Sequence, residues 1–222
     1  MATHVENALR LIGDSGVLRP RDLRRAGIPN VILTRLLERE LVRRVVSATD
    51  GATLLGYSLS DGPTGPEDVH RVRLAEISVM HPAGVLCYQS ALRFHGFTDD
   101  FESGMQVAVR PGASRRTSVP QLKVVYWHND EMFRLGVVQE SLDGVPCRVT
   151  DPHRTVADLF GPHGTDHAGE RTAAMSALVA TYGQGGLVKA SGYASALGWG
   201  SRMKEPVQSF MEGMKCAVTP RP

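Results

Sequence analysis

Cysteine is scarce in this chain: three residues in 222, at positions 87, 147 and 216. An odd, widely spaced set supplies neither a disulfide framework nor the paired spacing of a zinc site. Long apolar runs are missing as well. The first 30 residues contain no continuous hydrophobic stretch of the kind a signal peptide needs. No window approaches the roughly 18 apolar residues that would span a bilayer. These absences predict a reducing, cytoplasmic setting and no membrane partner. GxGxxG and P-loop patterns do not occur, so the common nucleotide cradles are not expected. No internal repeat is visible. Aromatic residues make up only 6% of the chain and none precedes Tyr57, while residues 1–47 contain no lysine.

What is present is enough apolar side chain for a sizeable core: 42% hydrophobic against 22% charged. That balance excludes a wholly disordered or coiled-coil chain. The net charge of +2 averages two unlike parts. Residues 1–47 carry nine arginines (10, 19, 21, 24, 25, 35, 39, 43, 44) against five acids, a net of +4, and the rest of the chain sums to −2. Positive charge gathered at one end points to a polyanionic partner. The competing reading is a solvated helix face. The excess of arginine over lysine, with much Ala, Gly and Val, fits a GC-rich bacterial genome.

Periodicity predicts a helix over 4–13, with Val5, Ala8, Leu9 and Ile12 on one face and Gly13 as its cap. A second helix is predicted from Pro20, at home in a first turn, to Ala26, with Gly27 ending it. A third runs over 30–40, with Leu33, Leu36, Leu37 and Leu41 as its buried stripe. Two strand-like runs follow, 41–47 and 52–59, with Asp50-Gly51 between them as a hairpin signal. Residues 60–66 (SDGPTGP) read as a linker. Beyond it, helices are predicted over 67–78 and 88–95 and strands over 105–110, 122–128, 136–141 and 145–150, the last two joined at Asp143-Gly144. Asp151 should cap a helix with Pro152 in its first turn. Helices at about 168–182, 186–197 and 201–215 close the chain. The expected fold is α+β: an N-terminal winged helix-turn-helix at 1–60, a linker at 61–66, and a mixed α/β domain with C-terminal helices at 67–222.

The third helix has what a recognition helix requires, a buried stripe opposite a polar face that fits the major groove. Residues near the start of such a helix reach base edges most easily. Asn30, Thr34 and Arg35 are therefore the candidate readers of sequence, and Arg39 lies on the same face. Arg19, Arg21, Arg24 and Arg25, on or before the second helix, are candidate phosphate contacts. So are Arg43 and Arg44, which open the hairpin expected to act as the wing. Single-strand binders usually stack bases on aromatic rings, and the basic region has none, which favours duplex DNA. The alternative is a winged-helix module that binds protein.

These residues carry a family resemblance. The stretch LRPRDLRRAGIPNVILTRLLERELVRRV resembles the N-terminal winged helix of AbiEi-type antitoxins of type IV toxin–antitoxin systems, through Asp22-Leu23, Gly27-Ile28, Leu33, Arg35-Leu36 and Leu41-Val42-Arg43. HPAGVLCYQSALRFHGFTD is similar to a second family segment through Ser90-Ala91-Leu92, His95-Gly96-Phe97 and Asp99. TDPHRTVADLF is similar to a third through Arg154-Thr155 and Asp158. The resemblance spans about residues 4–160. It implies an N-terminal domain that represses its own operon at inverted repeats; operators of helix-turn-helix proteins usually have half-sites about one helical turn apart, which calls for a homodimer or two bound copies. It also implies a C-terminal domain that counteracts a nucleotidyltransferase-like toxin, with Arg154, Thr155 and Asp158 as candidate toxin contacts. Two alternatives stand beside it: a solitary winged-helix transcription factor, and a degenerate nuclease targeted by the winged helix.

No catalytic, metal or cofactor site is expected. His81, Cys87 and His95 are spaced by six and eight residues, which fits no compact zinc motif. Cys87 reads as a core thiol, and Ser90 lacks the glycines of a nucleophile elbow. Asp99 and Asp100 read as a turn. His81 reads as a turn residue before Pro82, His95 as a helix-end residue, and His163 and His167 as solvated loop residues. Arg154 and Asp158, four apart on a helix, read as a surface pair worth about 0.3–0.5 kcal/mol.

Overall fold

The computed structural model describes residues 3–15, 17–46, 54–60, 66–98, 104–113, 121–142 and 145–218. The turn at Asp50-Gly51, most of the linker, Asp99-Asp100 and Asp143-Gly144 lie outside these residues. The chain is a mixed α/β protein with helices at its N-terminus, and it divides into two compact units. The first holds Met1–Ala83 with Ser114–Leu122 and Gln139–Cys147. The second holds Gly84–Ala113, Lys123–Val138 and Arg148–Pro222. Among the described residues no helix is long and apolar enough to cross a membrane.

In the first unit, α1 (His4–Ser15), α2 (Pro20–Arg25) and α3 (Asn30–Glu38) are followed by β1 (Val42–Val46) and β2 (Leu54–Leu59), which pair antiparallel. Ala8 and Ile12 of α1, Leu23 of α2 and Leu36 of α3 are almost fully buried in one core with Val42 and Tyr57. α1 runs two residues past Gly13, which is not its cap. The stripe of α3 also differs from the sequence reading. Ile32, Leu33 and Leu36 are buried, whereas Leu41 lies beyond the helix and is 40% exposed. The helix stops at Glu38, so Leu41 falls out of the 3.6-residue period.

Both α2 and α3 end in the same hydrogen-bond pattern. After α2, Gly27 N–H donates to Arg24 O and Ile28 N–H to Leu23 O. After α3, Glu40 N–H donates to Leu37 O and Leu41 N–H to Leu36 O. This motif puts its turning residue in the left-handed region. Gly27 (φ 71) takes that position without strain, while Glu40 (φ 55) takes it with a side chain. Leu18 then pairs with Tyr57, each N–H donating to the other's carbonyl at 2.9 Å. Gly56 permits this approach: a Cβ there would lie 2.9 Å from Leu18 O. α4 (Pro66–Met80) completes the described helices of this unit.

A five-stranded sheet follows, in the order β5-β4-β3-β7-β6. Its strands are β3 (Val85–Cys87), β4 (Met105–Val109), β5 (Leu122–Tyr126), β6 (Val137–Leu142) and β7 (Val145–Thr150). β3 pairs antiparallel with β4 (Leu86 opposite Val107) and parallel with β7 (Leu86 opposite Val149). β3 is absent from the sequence reading, because three residues are too few to display a period of two. α5 (Gln89–Phe94) ends at Gly96 with a third copy of the capping pattern. Asp151 caps α6 (Pro152–Asp158) by accepting the Arg154 N–H at 2.8 Å, with Pro152 in the first turn. α7 (Arg171–Tyr182), α8 (Gln184–Ala196) and α9 (Gly200–Val218) pack around α6, and Trp199 Nε1 donates to Ala157 O at 3.0 Å.

Candidate functional site

The first unit gathers the basic residues. α3 buries Ile32, Leu33 and Leu36, so helical geometry turns Asn30, Val31, Thr34, Arg35, Glu38 and Arg39 outward, and all six are exposed. The Thr34 hydroxyl donates to Asn30 O at 3.3 Å. On α2, Arg21, Arg24 and Arg25 are exposed around the buried Leu23. Arg24, Arg35, Arg39 and Arg44 are exposed and form no ion pair among the described residues.

Arg19 behaves differently. Its side chain is only 14% exposed, and Nε donates to Asp22 Oδ2 at 2.7 Å. It braces the start of α2. Asp22 also stands 3.8 Å from Arg21 and Arg25, separations at which exposed pairs are weak. Arg43 and Arg44 are successive strand residues and so point to opposite faces of the hairpin. Arg44 lies opposite Tyr57, on the face that Val42 and Tyr57 turn into the core. Arg43 lies opposite Ser58 on the other face, and its Nε donates to Ser58 Oγ at 2.9 Å. The two arginines therefore do not share a face, although both remain exposed.

The residues singled out in the second unit are placed otherwise. Arg154, Thr155 and Asp158 are fully buried. This corrects the reading of Arg154 and Asp158 as a surface pair, since neither side chain reaches solvent. Arg154 Nε donates to Asp158 Oδ1 at 2.7 Å, Nη1 donates to Leu135 O, and the guanidinium lies over the Trp127 ring at 5.0 Å. Burial pushes the Asp158 carboxyl up to about 6, against the lowering pull of Arg154. Thr155 Oγ1 donates into the α6 start, close to Thr150 O and Asp151 O. Tyr193 OH donates to Asp151 Oδ2 at 2.7 Å, so the capping carboxylate is held from both sides. Gly136 (φ 64) leaves room for this joint: a Cβ there would lie 2.7 Å from the Arg154 Cβ.

The groups that invite a nucleophilic reading are engaged or shut away. Cys87 is buried, and burial drives its thiol well above the usual range. The Ser90 hydroxyl is buried and accepts the Gln106 N–H at 2.8 Å. Between β3 and α5 the backbone bends sharply at Tyr88 (φ 49, ψ −122), whose side chain is buried too. His81 is buried, while His95 sits at the end of α5 with Nε2 2.7 Å from Thr150 O. His163 is exposed, and the side chain of His167 lies outside the described residues. Among the described residues no group of three or more His, Cys, Asp or Glu is placed to hold a metal ion.

Sequence reasoning missed Tyr193 and Trp127, which lie far from residues 151–158 in the chain and carry no local signal of the contact. In comparison with known proteins, the chain matches no family model and no curated sequence.

Proposed function

We propose that the first unit is a winged helix-turn-helix that binds double-stranded DNA, and that the protein is a transcriptional autorepressor and antitoxin-like protein of a type IV toxin–antitoxin system. One observation carries the DNA half of this reading. A helix with a buried apolar stripe presents Asn30, Thr34, Arg35 and Arg39 to solvent, and its neighbours in the chain present six more arginines, at positions 10, 21, 24, 25, 43 and 44. In this reading α3 enters the major groove, where arginine bonds guanine bidentately and asparagine bonds adenine. Arg21, Arg24 and Arg25 meet phosphates. The β1–β2 hairpin is the wing, tied down by the Leu18–Tyr57 backbone pair, and Arg43 is its groove-facing cation. Two copies on an inverted repeat give half-sites about one helical turn apart.

The test is a gel shift of the full chain with the duplex upstream of its own coding region. The reading expects a retarded band that is lost in the double variant Arg35→Ala, Arg43→Ala. An unchanged affinity in that variant contradicts it. The antitoxin half is carried by the sequence resemblance. Its test is rescue of growth when the chain is co-expressed with a nucleotidyltransferase-like product of the adjacent gene. Repression without such rescue would instead point to a solitary transcription factor of the same architecture.

A further inference from the structure

Val31 stands out on the exposed face of α3. It is 53% exposed, whereas Ile32, Leu33 and Leu36 of the same helix are at most 8% exposed. It lies in the first turn, beside Asn30 in sequence and one helical turn before Thr34 and Arg35, so its branched side chain is surrounded by the polar groups of that face. A β-branched residue in a helix has one strongly preferred χ1 rotamer, so these two methyl groups are presented in a fixed direction at little entropic cost. Base edges in the major groove offer one apolar feature, the 5-methyl group of thymine.

We infer that Val31 is a specificity-determining residue that packs against the 5-methyl group of a thymine, next to the bases bonded by Asn30 and Arg35. The inference rests on the duplex-binding reading of α3 and adds to it the class of base that this position selects. A 5-methylcytosine would satisfy the same contact, since it carries the methyl group at the same ring position.

The experiment selects duplexes from a randomised pool with the full chain, then replaces each thymine of the selected site by deoxyuridine, one at a time. Loss of one methyl contact is worth about fourfold in Kd. One thymine should show that loss with the wild-type protein. Val31→Ala, a change at an exposed position, should bind the thymine duplex about fourfold more weakly than wild type and should lose nothing further when that thymine becomes deoxyuridine. The inference is overturned if no thymine methyl affects binding, or if Val31→Ala remains sensitive to the same methyl. Enrichment of duplexes without a methyl effect leaves the DNA-binding reading standing, whereas failure to bind any duplex removes both.

Discussion

The arginines around α3 in the first unit and Arg154 in the second use the same side chain in opposite ways. In the first, Arg24, Arg35, Arg39 and Arg44 stand in water with no ion pair among the described residues. In the second, Arg154 has no exposed surface and is clasped by Asp158, the Leu135 carbonyl and the Trp127 ring. A guanidinium in water costs the fold almost nothing and keeps its hydrogen-bond donors available to a phosphate or a base. A buried one must spend them inside the protein, because an unpaired charge there is strongly destabilising. The contrast teaches that arginine count says little until burial is known. Arg19, mostly buried on Asp22, belongs by behaviour with Arg154 although it sits among the exposed arginines.

The largest effect expected from this contrast is on stability. Arg154→Ala leaves Asp158 buried and unpaired and should destabilise the chain by about 3–5 kcal/mol, measured by urea unfolding. Arg24→Ala should change stability by less than about 0.5 kcal/mol. Equal losses would erase the distinction between the two classes.

Next comes a pH effect. The Asp158 carboxyl is raised to about 6, above the roughly 3.9 of an unfolded aspartate, so the folded state holds that proton more tightly. Its contribution is therefore fully present below about pH 4 and is lost as pH rises through about 6. Stability of the wild type relative to Asp158→Asn should fall across that window. A rise would mean that the attraction of Arg154 outweighs burial.

A smaller effect is expected on recognition. Arg35→Ala should cost about 1–3 kcal/mol in affinity for a selected duplex and relax its preference at one base pair, read by fluorescence anisotropy, with unfolding unchanged. The smallest is at the end of α3, where Glu40→Gly should stabilise by about 1 kcal/mol in thermal unfolding, since glycine takes the left-handed conformation without the Cβ clash.

Local chemistry made much of this fold legible in the sequence. Gly27 and the Asp151-Pro152 start of α6 each act within a turn of chain, and each stands where sequence reasoning put it. The polar face of α3 follows from a period that nine residues are enough to display. The end of that helix was less legible, because Glu40 occupies a position that glycine usually marks. The interior of the second unit was not legible. Arg154 and Asp158 four apart on a helix look the same whether water or Trp127 lies beside them. Only the return of the chain at Leu135 and Tyr193 decides that they are buried. The opposite facing of Arg43 and Arg44 does follow from strand alternation, once β1 is placed.

Salt tests the central claim most directly. The affinity of the full chain for its upstream duplex, measured by anisotropy from about 50 to 200 mM salt, should fall linearly on a log–log plot. Removing one arginine proposed to meet a phosphate, as in Arg24→Ala, should reduce that slope by about 1. A flat salt dependence, or equal affinity for the corresponding single strand, would contradict the assignment of these exposed arginines to duplex DNA.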